Sequence, residues 1–327
     1  MIGRIFYLIS AVLVLLGAFI FLSPSLITPD LIYSTRIDSS YIVYHSELEG
    51  TNTDTLLFNP SDVGLKYSEL KVLTTDGLLL KGWNVYAEDT PANTILIFHD
   101  LNESKLLYID HLKQFHDRGF NVAAFDLRAH GNSDGNEFTP GLPALDDAVL
   151  MIDSVLGKNG TRHIVLMGVG LGSAIALQAA VYDTRTDGLI LQSPFSNYQN
   201  YLDRYASLKW GVMKNIWYPV LLRRSQELLR YPVKELDLTK ITKYTSVPTL
   251  FIIGSEDEKV YTSEALQVFD ASITEKKELF LVRNADKQNI AKAGAELYYN
   301  RITAFFVATL PKEQKTTRFK KLALNDH

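Results

Sequence analysis

The side chains that could do chemistry gather around one stretch, residues 163–181, HIVLMGVGLGSAIALQAAV. An apolar run rich in β-formers, 164–167, meets Gly168-Val169-Gly170-Leu171-Gly172. A small, helix-compatible run, 173–181, follows. Strand, sharp glycine turn and helix form the setting of a nucleophile elbow, G-x-S-x-G, where a strained turn presents a serine hydroxyl to a carbonyl. Both flanking glycines are present, but Gly170 stands where the serine belongs. Ser173 is the nearest hydroxyl. It lies within the helical run, where the turn does not present it and small residues serve packing.

A hydroxyl nucleophile also needs a base. The histidines are His45, His99, His111, His116, His130, His163 and His327, and none lies in the long stretch between 163 and the final residue. The chain has no cysteine, which excludes thiol nucleophiles, disulfides and cysteine metal sites. His, Asp and Glu do not cluster at ligand spacing, so neither a metal nor another cofactor is expected.

The elements that must position these residues follow from the hydrophobic pattern. Residues 69–74 and 78–86 flank Asp76-Gly77, a hairpin signal. Short buried strands are expected at 94–98, 121–125, 164–167, 188–191, 248–253 and 278–282. Helical spacing is expected at 108–118, 145–156, 173–181, 263–269 and 291–309. Strands alternating with helices imply a mostly parallel sheet covered on both faces. The alternation breaks at 196–239, which is aromatic, basic and helical, as a cap would be. Its Tyr198, Tyr201, Tyr205, Trp210, Trp217 and Tyr218 are interspersed with Arg204, Lys209, Lys214, Arg223 and Arg224. Such a segment packs its aromatics on the sheet. It could also roof a pocket for a small apolar ligand, or meet a membrane or protein partner.

The 327 residues are 46% hydrophobic, enough for one large α/β domain with appendages, and the net charge of −4 gives no reason to expect nucleic acid. Residues 5–22, IFYLISAVLVLLGAFIFL, carry no charge and approach the length of a membrane span. The stretch is long for a signal-peptide core, and no small-residue cleavage site follows it. A single membrane anchor at 1–22 is therefore expected. Arg4 precedes it and Arg36 is the next basic residue, which puts the N-terminus in the cytoplasm and the main domain outside. Residues 23–67 are expected as a polar stalk, 68–310 as the domain, and 311–327 as a basic, polar tail.

Several stretches, in order, resemble one family: TDGLLLKGW at 75–83, His99-Asp100, FDLRAHGNSDG at 125–135, the elbow at 168–172, SPF at 193–195 and VPTLFIIGSEDEKV at 247–260. Over roughly residues 50–310 the chain looks like an α/β-hydrolase of the serine-aminopeptidase-like group. That resemblance implies a catalytic triad in the order nucleophile, acid, histidine. The nucleophile's place is Gly170. The acid's place is Asp257, in the family's G-x-x-D-x-x-V spacing. The histidine's place, after the last strand, is Lys287. The resemblance also implies an oxyanion hole built from the N–H groups of Leu101 and Leu171. There the family's His-Gly is His99-Asp100, and a carboxylate opposes oxyanion stabilisation. In the family loop, His130 with Arg128 and Asp134 would order the surroundings of the pocket, and His99 would satisfy backbone groups at its floor. With no intact triad, the expected function is that of an inactive, membrane-anchored homologue binding a ligand or partner. An active esterase or peptidase with an unusual site and a purely structural membrane-associated domain are the alternatives. Asp257 and Lys287 are expected to form an ion pair where acid and histidine would meet.

Overall fold

The computed structural model describes residues 2–22, 32–49, 56–158, 160–257, 260–287 and 289–311. Two helices come first, α1 (Ile2–Leu22) and α2 (Ser39–Glu49). The body follows as β1 (Tyr67–Leu73), β2 (Leu79–Val85), β3 (Ala92–Phe98), α3 (Ile109–His116), β4 (Asn121–Phe125), α4 (Leu142–Leu156), β5 (Thr161–Val169), α5 (Leu171–Tyr182) and β6 (Thr186–Gln192). Next come the cap helices α6 (Tyr198–Trp210) and α7 (Lys214–Leu229), and the short α8 (Leu238–Ile241). The chain closes with β7 (Thr249–Gly254), α9 (Thr262–Ala271), β8 (Lys277–Val282) and α10 (Ile290–Thr309).

The sheet has eight strands in the order β1-β2-β4-β3-β5-β6-β7-β8. The β1–β2 hairpin is antiparallel in register Leu73↔Leu79 around the Asp76-Gly77 turn, and β2 pairs antiparallel with β4. Every later pair is parallel. The central strands are buried on both faces, which is why they read as continuous apolar runs. Alternate residues serve opposite cores. Leu96, Phe98, Ile164, Leu166, Leu189 and Leu191 face one core, shared with α4, α5 and the cap. Ile95, Ile97, Val165, Met167 and Ile190 face the other, with α3 and α10. Residues 171–180 of α5 are all buried, and its run of Gly and Ala allows close packing on the sheet.

Two expectations change. The segment read as a polar, turn-rich stalk packed against the domain contains a helix, α2, while Ile32, N-terminal to it, is buried in the core as such packing requires. The sequence does not announce α2, because that segment has almost no amphipathic pattern. Parts of the expected stalk, 23–31 and 50–55, lie outside the described residues, as does the tail at 312–327. The expected anchor segment does form a 21-residue helix, α1. Among the described residues, however, no helix is long and apolar enough to cross a membrane. The described side chains of α1 include the exposed Ile5, Phe6, Ile9, Leu13, Val14 and Leu15.

The cap closes on itself at its base. Tyr198 N–H donates to Leu236 O and Leu238 N–H to Ser196 O, each near 2.9 Å. Asn197 caps α6 by accepting from the N–H groups of Gln199 and Asn200.

Candidate functional site

β5 delivers the chain to Gly170, which sits at φ 54°, ψ −116° immediately before α5. That left-handed conformation is open to glycine without a Cβ clash. Gly172 lets the helix approach the sheet, since a Cβ there would strike the carbonyl oxygens of Phe98 and His99. A Cβ at Gly168 would strike the backbone of Gly172 and Ser173. The elbow is therefore fully built, and only its side chain is missing.

The space of that side chain is filled. A Cβ on Gly170 would collide with all three terminal atoms of the Asp100 carboxylate. Asp100 lies in the loop after β3. Its Oδ1 accepts the Leu171 N–H at 2.8 Å, and its Oδ2 accepts the ammonium of Lys287, which lies in the loop after β8. Both side chains are buried, Asp100 1% and Lys287 8% exposed. Burial alone would push the Asp100 carboxyl up. The Lys287 charge and the N–H groups of Leu171 and Leu101 outweigh it and hold the carboxyl below its usual range. Burial would likewise lower Lys287, but Asp100, with Tyr201 and Glu103, pushes it above the usual lysine value.

The loops behind this pair are tied together. Glu103 Oε2 accepts the Asp100 N–H at 3.1 Å and the Tyr108 hydroxyl at 2.6 Å. Burial, and then the charge of Asp100, raise the Glu103 carboxyl. Gln192, at the end of β6, donates to the Lys287 carbonyl at 3.3 Å and accepts from the Tyr298 hydroxyl at 2.7 Å.

The expected Asp257–Lys287 pair is replaced by Asp100–Lys287. Asp257 is buried at the end of β7, where its Oδ1 accepts the Val260 N–H at 2.9 Å. A buried ammonium takes the carboxylate within reach, and Asp100 is held at the N-terminal end of α5, where an anion is favoured. The other sequence candidates serve structure. The Ser173 hydroxyl donates to the Gly170 carbonyl at 2.5 Å from a fully buried position. His99 bonds the Asp100 carbonyl through Nδ1 at 2.7 Å and accepts the Leu127 N–H at Nε2, 3.0 Å. His130 bonds the Arg128 carbonyl at 2.8 Å and accepts the Asn102 N–H at 3.3 Å. Burial lowers these imidazoles to about 4 and about 3, so both stay neutral and brace the loops. Arg128 pairs with Asp147 and Asp76, and Asp134 accepts the Leu79 N–H at 3.0 Å.

A cavity of about 380 Å³ opens beside Lys287, walled by Asn102, Glu103, Tyr108, His111 and Gln192. Sequence reasoning missed these residues. Asn102, Glu103, Tyr108 and His111 follow β3 in one short stretch, and the strand order, which puts β3, β5 and β6 side by side, brings Gln192 at the end of β6 to them. Among the described residues no group of His, Asp or Glu could hold a metal ion. The turn offers no hydroxyl for acyl transfer. The Asp100 carboxylate has both oxygens engaged, and it holds Lys287 as an ammonium.

This arrangement defines an α/β-hydrolase-fold protein with an elbow and an internal ion pair at its centre. Residues 89–243 match the serine aminopeptidase family model. An uncharacterized protein of Bacillus subtilis is 27% identical over 204 residues, covering 59% of this chain and 64% of that protein. An uncharacterized membrane protein of Saccharomyces cerevisiae is 25% identical over 243 residues, covering 73% and 79%. The fold matches an esterase of Pyrococcus furiosus with a TM-score of 0.65 at 18% identity, over 79% of this chain and 96% of that one. The chain is similar to the serine aminopeptidase family over residues 89–243, and its fold is that of the α/β-hydrolases.

Proposed function

We propose that this protein is a catalytically silent, membrane-anchored α/β-hydrolase homologue that binds a small ligand instead of hydrolysing one. One observation carries the silence. The Asp100 carboxylate fills the space of the elbow side chain and takes the N–H of Leu171, with Lys287 as its counter-ion. An oxyanion developing there would meet a fixed negative charge and a donor already in use. The cavity beside Lys287 supports the binding role. Its wall mixes Glu103, His111, Gln192 and Lys287 with Ile37, Leu107, Val169 and Ile290, which fits a small ligand with both polar and apolar parts. The anchor reading rests on the 21-residue helix α1, about 32 Å long, whose residues 5–22 carry no charge, and draws support from the yeast relative, which is named a membrane protein.

The test is labelling by a serine-directed fluorophosphonate, with an intact-triad hydrolase as positive control. The wild-type protein should not label. Labelling of the wild-type protein that Asp257→Ala abolishes would restore the active-hydrolase alternative. Ligand binding is read separately as a rise in melting temperature with small compounds that carry a polar and an apolar part. Failure of every such compound to shift the melt would favour the purely structural alternative.

A further inference from the structure

The cavity beside Lys287 carries an unbalanced charge. Among the described residues its charged walls are Glu103 and Lys287. Lys287 is already matched, because its Nζ donates to Asp100 Oδ2. Together the three groups are negative by one charge whenever Glu103 is ionised. Glu103 accepts the Asp100 N–H and the Tyr108 hydroxyl, and both bonds end on Oε2. Oε1 takes part in neither. A half-buried carboxylate whose charged neighbour is bonded elsewhere is an ion pair lacking one member. The strain shows in the Glu103 carboxyl, which burial and then the Asp100 charge push up. His111, across the cavity, brings no second cation, since burial holds its imidazole neutral, at about 4.

The rest of the wall limits what can enter. Ile37, Leu107, Val169 and Ile290 give it an apolar side. Ile37 comes from the segment between α1 and α2, which is tied down next to it. There the Thr35 N–H donates to Asn102 at 2.8 Å, and Arg36 donates to the Ser133 carbonyl at 2.6 Å. Gln192 Oε1 accepts the Tyr298 hydroxyl and keeps a second lone pair. An anion in this space would stand against Asp100 and Glu103 together. A neutral hydroxyl would leave the Glu103 charge unmatched. A short alkyl chain ending in an ammonium matches the charge and covers the apolar side, and about 380 Å³ gives it room.

We infer that this cavity binds a primary alkylammonium, its nitrogen donating to Glu103 Oε1 and its chain lying along Leu107, Val169 and Ile290. The inference rests on the ligand-binding reading above and names the chemical class of the ligand. Glu103 supplies the specificity, and the Asp100–Lys287 pair forms a wall with no net charge.

The probe is n-pentylammonium, titrated by calorimetry into the full-length protein in neutral detergent. The buffer is held at about pH 8, where an alkylamine, like lysine, is cationic. 1-Pentanol and pentanoate carry the same chain under a different head. Pentylammonium should bind about tenfold more tightly than pentanol, and pentanoate more weakly than either. Glu103→Gln keeps an acceptor for Asp100 and Tyr108 but removes the charge. It should weaken pentylammonium by about tenfold and leave pentanol unchanged. Unchanged pentylammonium binding in Glu103→Gln places the amine elsewhere and overturns the inference. Should that variant fail to fold, the order of the three heads in the wild-type protein decides. Pentanol or pentanoate binding as tightly as pentylammonium overturns the ammonium class and leaves the ligand-binding reading standing. Silence from all three probes overturns the inference too, and the wider melting screen then judges the ligand-binding reading by itself.

Discussion

At the scale of single residues, the Asp100–Lys287 pair decides what the site can be. Removing one member of a buried pair strands the other charge, at a cost of about 3–5 kcal/mol. Asp100→Ala and Lys287→Ala should each lower the urea midpoint strongly. Asp100→Asn with Lys287→Met should cost less than the two single losses summed, and a double-mutant cycle reads the difference. The pair itself gives no slope near neutrality. The depressed Asp100 loses its contribution only as pH falls below about 3.9, and the raised Lys287 only as pH climbs past about 10.4. Glu103 behaves differently. Its folded pKa is raised, so its favourable contribution is full below about 4.3 and lost as pH rises through the folded value. Glu103→Gln keeps an acceptor for Asp100 and Tyr108 and should flatten that decline in a series of urea melts across pH. Gly170→Ser should lower the melting temperature, for two reasons. The turn holds φ +54°, which costs a residue with a Cβ about 1–3 kcal/mol, and the new Cβ meets the Asp100 carboxylate. A melt equal to or above wild type would show that this loop yields. The turn and its missing serine were legible at 168–172, because glycine spacing encodes backbone geometry directly. The partner of Lys287 was not. Asp100, Asp257 and Asp286 are all acids at plausible loop positions, and only the packing of the β3 loop against α5 selects one.

At the scale of elements, the elbow depends on two bare backbones touching. Gly172→Ala places a methyl against the carbonyl oxygens of Phe98 and His99. Overpacking at such a contact costs about 1–3 kcal/mol, so a fall in the thermal midpoint is expected, larger than for Gly64→Ala. Gly64, unlike Gly172, has positive φ and has nothing within 4 Å of its would-be Cβ, so it reads backbone strain without a clash. The strands were readable because each is an apolar run between turn residues, and the Asp76-Gly77 hairpin fell where expected. Boundaries drifted by a few residues where context overrides pattern. α4 starts at Leu142, earlier than its apolar spacing suggested, because Pro143 is well placed in a first helical turn. α10 contains Ala295 at φ 44°, a break beside Gly294 that the reading of 291–309 as one helix did not include.

At the scale of the whole molecule, the two ends of the proposal can be separated. Full-length protein should stay with carbonate-washed membranes, as an inserted helix requires. Recovery in the soluble fraction with an intact N-terminus would refute the anchor while leaving the elbow reading untouched. The overall architecture was legible because element order limits topology, and an alternating chain with one interruption leaves few folds. The cap's exposed apolar tip was not, since Leu208, Val212, Met213 and Ile216, where α6 turns into α7, look in sequence like any packed helix pair.

The carboxylate in the elbow has a further consequence. Asp100 acts as a tethered competitor for its own anion hole, and a group held in place by the chain can count as a very high local concentration. A free boronate, phosphonate or product acid would have to displace it at solution concentration. The same tether bears on any attempt to build a serine site at this turn. A serine at 170 arrives in a space already taken, and clearing Asp100 first leaves a buried ammonium without its counter-ion. Each single step therefore passes through a less stable protein. Only the joint exchange of Gly170, Lys287 and Asp100 for serine, histidine and glycine reopens the hole with nucleophile and base together.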